Sequence, residues 1–190
     1  MSKIFEEHCH GWEVNARKVF EKDKFKASFR QYGNIQVLDW RSENGTKMYS
    51  MRVVIDPDSD AAYVSGDLGY GIIHSDNMSF KSLADMTYEE LMKRTVASSF
   101  DTWTYNKDYA REEIKSQGIG DEKLIDWMLC SWTGAFFNFS DNLVDELANI
   151  GKSDIVWDRI GRLPHRRLVI WRTAFRMAYT QVYDDTVDEK

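Results

Sequence analysis

His8, Cys9 and His10 stand in a row near the N-terminus, and aspartates alternate at positions 56, 58 and 60. Both sets are of types that hold cations. Imidazole and thiolate suit zinc, and alternating carboxylates suit calcium. The spacing argues against each. Residues i and i+2 of a helix point to different sides, and no second His/Cys cluster stands where it could complete four ligands. A calcium loop needs glycine at its sixth position, where this chain has Ala61, and a bidentate glutamate at its twelfth, where it has Asp67. Asp56-Pro57-Asp58-Ser59-Asp60 is therefore expected to be a turn, and no metal or cofactor is expected.

Ser65-Gly66-Asp67-Leu68-Gly69-Tyr70-Gly71 has the composition of a phosphate-binding loop. Such a loop must open directly into a helix N-terminus. Here Tyr70-Gly71-Ile72-Ile73-His74 follows and reads as a strand, so Gly66 or Gly69 is expected at positive φ in a tight turn. Asp67 with His74 could serve as a general acid/base pair. That pair supports the enzymatic alternative, a small metal-dependent or acid/base phosphoesterase or nuclease.

The richest charge pattern lies near the C-terminus. At roughly 100° per residue, Leu168, Trp171, Phe175, Ala178, Tyr179 and Val182 share one apolar helix face. Arg162, His165, Arg166, Arg172 and Arg176 gather beside it. Arg162, Arg166, Arg172 and Arg176 are thus the candidate partner-binding residues, suited to acidic protein or to the phosphates of RNA or DNA. The competing reading pairs them with the chain's own carboxylates. The aromatics at Trp127, Trp132, Phe136, Phe137 and Phe139 are expected in a core, with any excess available to a partner.

Positioning elements follow from periodicity. Residues 1–33 read as helical, in one or two pieces. Residues 34–76 read as a four-stranded antiparallel meander: Ile35 to Arg41, Met48 to Ile55, Ala62 to Ser65 and Tyr70 to His74. Asn44-Gly45 is a hairpin signal between the first two. Residues 79–183 read as helical. Thr87 with Glu90 forms a capping box for a helix expected to reach Phe100. Asn106, Asp121 and Ser140 or Asp141 can cap later helices, Gly118 and Gly151 can end them, and Pro164 suits the first turn of the last. An acidic tail follows at 184–190. The expected fold is a single α+β domain over residues 1–190.

Composition sets the class. The chain has 190 residues, 43% hydrophobic, and a net charge of −6. That is enough apolar content for a core, and the acidic balance argues against a dedicated DNA-binding protein. The two cysteines, Cys9 and Cys130, stand in no pair pattern, which fits a reducing compartment. No apolar run follows the first residues and no stretch approaches a membrane span. Cytoplasmic placement, without a membrane partner, is expected. A homodimer stays open.

Val37-Leu38-Asp39-Trp40-Arg41, Met51-Arg52-Val53-Val54-Ile55-Asp56 and Tyr63-Val64-Ser65-Gly66-Asp67-Leu68-Gly69-Tyr70 resemble strands and turns of small phage- and prophage-borne proteins, some of them anti-CRISPR inhibitors of Cas9. The resemblance covers roughly residues 35 to 75. It implies a stoichiometric inhibitor in the host-cell cytoplasm that binds a host defence protein, concretely a Cas9 nuclease or its guide complex, and blocks it by occlusion. It assigns no site residues. A structural phage component is the remaining alternative.

Overall fold

The computed structural model describes residues 2–131, 139–152 and 159–184. Contacts divide the chain into two compact units: Met1–His8 with Thr104–Leu163, and Cys9–Trp103 with Pro164–Lys190.

The larger unit is a sheet with helices. Its strands are β1 (Phe25–Tyr32), β2 (Ile35–Ser42), β3 (Met51–Asp56), β4 (Ala61–Gly66), β5 (Gly71–His74) and β6 (Thr95–Ser98). They pair in chain order, every pair antiparallel. The α+β class holds, but the sheet has six strands where four are expected. Both additions fall in segments expected to be helical. β1 replaces the end of the N-terminal helix, which stops at Lys22 as α1 (Lys3–Lys22). Phe25, Ala27 and Phe29 face the core, while Lys26, Ser28 and Arg30 face away. Phe25 and Phe29 also fit a helical spacing of four, which hides the alternation. Gly33, at φ 60°, then turns the chain back into β2.

β6 replaces the end of the helix that starts at the Thr87–Glu90 capping box. That helix, α3 (Tyr88–Arg94), follows the short α2 (Phe80–Asp85) and ends where the Thr95 hydroxyl donates to the Leu91 carbonyl at 2.6 Å. Thr95-Val96 is β-branched and favours extended backbone. It pairs with β5 across a register shift at Ile72/Ile73. The expected turns are present: Asp56 caps the short 3₁₀ turn Pro57–Ser59, and Gly66 and Gly69 sit at φ 150° and 100°.

Only one sheet face meets the core. Leu38, Trp40, Val53, Ile55, Val64 and Ile73 point to it and are buried. Phe20 of α1, Phe80 and Leu83 of α2, Leu91 of α3, and Leu168, Trp171 and Phe175 of the last helix pack against them. The Gln181 side chain, from that helix, bonds β1 backbone on both sides: it accepts from Ala27 N–H at 2.9 Å and donates to the Phe25 carbonyl at 3.1 Å.

The smaller unit is helical. It contains α4 (Lys107–Ser116), α5 (Glu122–Cys130) and α6 (Asp141–Asn149). Asn106 and Asp121 accept first-turn N–H groups as expected, and Gly118 and Gly151 follow the ends of α4 and α6 at positive φ. Its core includes Ile114, Ile125, Met128, Leu143 and Leu147. β7 (Trp103–Tyr105) and β8 (Arg162–Pro164) form a separate two-stranded sheet. Pro164 thus ends a strand, a place that tolerates its missing N–H. The last helix, α7 (Arg166–Asp184), starts two residues later than expected. Among the described residues no helix is long and apolar enough to cross a membrane.

Candidate partner-binding face of the sheet

Strand alternation decides what the second sheet face carries. With Leu38 and Trp40 inward, Asp39 and Arg41 of β2 point outward. The register then places Ser28 of β1, Arg52 of β3 and Ser65 of β4 in one row with Asp39. The next row holds Arg30, Val37, Val54, Tyr63, Ile72 and Ala97. None of these side chains belongs to the core. Tyr32 and Tyr63 are exposed, at 60% and 41%.

Asp39 is a buried charge on this face, at 6% exposure. Arg52 grips it with two nitrogens, Nε to Oδ1 at 2.8 Å and Nη2 to Oδ2 at 2.9 Å. Arg30 reaches Oδ2 at 2.5 Å and Arg41 reaches Oδ1 at 3.1 Å. Three guanidinium groups from three strands thus converge on one carboxylate. Burial alone would raise the Asp39 pKa. The Arg52 hydrogen bonds and the charges of Arg41, Arg52 and Arg30 overcome it and hold the carboxyl below its usual range. Each guanidinium has five N–H donors; Arg30 and Arg41 each spend one on Asp39, and their side chains are 47% and 63% exposed.

Beside this fan lies an open cleft of about 500 Å³. Arg41, Lys47 and Arg52 line it, with the hydroxyl residues Ser42, Thr46, Ser50 and Ser65 and no carboxylate. Gly45, Met51 and Gly66 complete the wall. Such a lining suits an anion: it offers fixed positive charge and hydroxyl donors, with the Asp39 charge behind it outnumbered by the three arginines that bind it.

Replacing Asp39 tests how firmly the fan is held. Asp39→Asn removes the charge that organises three arginines and is expected to lower stability at neutral pH by about 1.5–3 kcal/mol. The native Asp39 pKa is depressed, so its contribution is present above the unfolded value of about 3.9 and is lost as pH falls through the folded one. The gap between wild type and variant in urea midpoint should therefore narrow in acid. An equal gap at pH 7 and pH 3 would contradict the ion-pair account.

The residues singled out in the sequence are placed differently. Asp67 Oδ2 accepts the Tyr49 N–H at 3.0 Å, closing the turn, and His74 is exposed at the end of β5. His74 pairs with Ala61 at the start of β4 and Asp67 follows its end, so the register places the two at opposite ends of that strand. His8, Cys9 and His10 lie on α1. Cys9 is buried, with its thiol pushed up to about 12 by burial foremost. Among the described residues no three His, Cys, Asp or Glu side chains cluster for a metal.

The arginine stripe is divided. Arg162 is in β8, not on the helix, because the strand runs through Pro164. Arg166 and Arg176 are exposed on α7. Arg172 is turned inward: its Nε donates to the Met86 carbonyl at 2.6 Å and its guanidinium lies 4.2 Å from the centre of the Tyr88 ring. Tyr88 in turn donates to Glu13 at 2.7 Å. Of the aromatic run, Trp127 is exposed and Phe139 packs on the helical core, while Trp132, Phe136 and Phe137 lie outside the described residues. So do residues 185–190 of the acidic tail.

Sequence reasoning missed Asp39, Arg30 and Arg52 as a group, because their convergence depends on the β1–β2–β3 register. The available signal was Gly33-Asn34, a two-residue hairpin turn between alternating segments. No protein-family model, curated protein or solved structure matches the chain.

Proposed function

We propose that this chain is a binding protein that acts by covering a partner's surface, with the outer face of its sheet as the contact. The observation that carries the reading is the charge and cover of that face. It is cationic on a chain of net charge −6, and it bears Lys26, Arg30, Arg41 and Arg52 against Asp39, which its arginines neutralise, and Asp56 at the end of β3. Six strands at about 4.8 Å spacing and about 20 Å long give a flat footprint of roughly 500 Å². Side-chain relief brings that toward the ~800 Å² per partner of a standard interface. Tyr and Arg, the residue types of binding hot spots, are both exposed on it.

The concrete form follows from the resemblance of residues 35 to 75. The chain is an inhibitor of a host defence protein, a Cas9 nuclease or its guide complex, working by occlusion without turnover. Purified protein added to a guide-loaded Cas9 is expected to suppress target cleavage stoichiometrically. Arg41→Glu with Arg52→Glu should abolish the effect, and Arg166→Glu with Arg176→Glu should leave it in place. Full cleavage at large molar excess over the nucleases tested would overturn the inhibitor reading. Loss of inhibition on the α7 exchange alone would move the contact to the helix.

A further inference from the structure

The outer sheet face combines two features that a site for acidic protein does not require together. The first is the anion cleft. Arg41, Lys47 and Arg52 line it, and Asp39 holds two of those guanidinium groups at fixed angles. Lys47 makes no ion pair within the described residues. A buried carboxylate shared by three arginines leaves the group with a net positive charge and with oriented, unspent donors. The second feature is an aromatic beside it. Tyr63 stands two residues from Ser65 on β4, and Ser65 faces Arg52 across the β3–β4 pair. Two residues of strand span about 7 Å, close to one nucleotide step of an extended single strand. Tyr63 is exposed, its hydroxyl makes no hydrogen bond among the described residues, and it is flanked by half-buried Val54 and Ile72 in its own row.

We infer that this face binds single-stranded nucleic acid, with a backbone phosphate in the Arg41/Lys47/Arg52 cleft and the neighbouring base stacked on Tyr63. The inference rests on the sheet face being the partner surface and names the chemistry met there. Charge alone would serve a carboxylate equally well. An exposed aromatic one step from the charge, on an uncovered sheet, favours a base, since every base offers a flat face and stacking needs no sequence. The carboxylates of an acidic peptide bond the cations and offer the ring no stacking partner of their own. Asp39 is a positioning residue in this scheme: it touches the arginines and not the ligand.

The probe is a fluorescein-labelled oligouridylate of roughly 12 nucleotides, titrated with the full chain and read by anisotropy. A parallel arm uses a labelled polyglutamate peptide of the same charge. Four cations (Arg30, Arg41, Lys47, Arg52) less Asp39 leave about three phosphates neutralised, so log affinity should fall with log salt at a slope of about −2, near twentyfold between roughly 50 and 200 mM. Arg41→Ala with Arg52→Ala should bring the slope above about −1 and remove most of the binding. Tyr63→Ala should weaken RNA binding at least about fivefold at unchanged slope, and the peptide arm should be insensitive to it. Tyr63 is exposed, so its variant keeps the parent melting curve and remains informative if the arginine pair disturbs the fold. Arg166→Ala with Arg176→Ala should alter nothing.

Absence of RNA binding at low salt overturns the inference, and so does binding that ignores Tyr63 and is matched by polyglutamate, which would assign the face to an acidic protein surface. In either case, loss of nuclease inhibition in the Arg41/Arg52 variant keeps the sheet face as the contact. RNA binding without any inhibition sinks the inhibitor reading and keeps the nucleic-acid site.

Discussion

Gly66→Val is expected to destabilise the sheet unit by about 3–5 kcal/mol, lowering its melting temperature by roughly 10 °C. Gly66 sits at φ 150°, where a side chain is strained whatever the space around it. A Cβ there would also stand 2.2 Å from the Ser50 carbonyl oxygen and 2.7 Å from Met51 Cα. Neither neighbour can retreat cheaply. Met51 pairs with Gly66 in the β3–β4 register, and the Ser50 carbonyl accepts the Asp67 N–H at 3.0 Å. The clash is with backbone, so no rotamer change relieves it. Thermal denaturation followed by circular dichroism reads the effect, and a variant melting within a degree or two of the parent would refute this turn geometry.

Arg172→Ala carries the second large effect, about 2–4 kcal/mol of lost stability. The side chain is a tie among three helices. It donates to the Met86 carbonyl just before α3, stacks over Tyr88 of α3, and lowers the pKa of Glu13 on α1 through its charge. For Glu13, burial pushes upward, and the hydrogen bonds from Tyr88 and Arg17 with the charges of Arg17 and Arg172 prevail and hold the carboxyl low. That contribution is present above the usual glutamate range and fades as pH drops through the folded value. Arg172→Lys keeps the charge and loses the planar fork, so it should recover less than half of the deficit. Arg176→Ala, ten residues beyond exposed Arg166 on the same helix, should shift stability by no more than about 0.5 kcal/mol. Equal urea midpoints for the Arg172 and Arg176 variants would show that Arg172 is not a structural tie.

Strands β2 to β5 were legible because turn chemistry punctuates them: Gly45, Asp60, Gly66 and Gly69 all sit at positive φ, although β3 starts at Met51 rather than Met48 because the loop after Ser42 is longer than a tight hairpin. The helix starts at Thr87, Asn106 and Asp121 were legible for the same local reason, a side chain that satisfies free N–H groups. The buried face of α7 followed from spacing alone, with Leu168, Trp171, Phe175 and Ala178 all buried. What was lost is what periodicity leaves ambiguous. Phe25 and Phe29 satisfy both a helix and a strand, and only pairing with β2 chooses between them. Thr95 to Ser98 are too few to show alternation. The candidate face was harder still. Arg30, Asp39, Arg41 and Arg52 look like scattered surface charges in one dimension, and become a cluster only when three strands fix their register. The arginines that do look like a cluster, from 162 to 176, are spread by the fold between a strand, a helix surface and a packed helix seam.

Gln181 has a consequence for the chain's behaviour at high concentration. β1 is an outer strand, and its unpaired backbone groups are a template on which a second copy could add a strand and begin to aggregate. The Gln181 amide occupies that template at Phe25 and Ala27, accepting and donating as an adjacent strand would. One side chain from α7 thus ends the hydrogen-bond ladder at the base of β1, while outward-pointing Lys26 and Arg30 add charge repulsion along the same strand. Removing the amide would leave the core intact and open the sheet to growth by strand addition, a fault of colloidal rather than conformational stability.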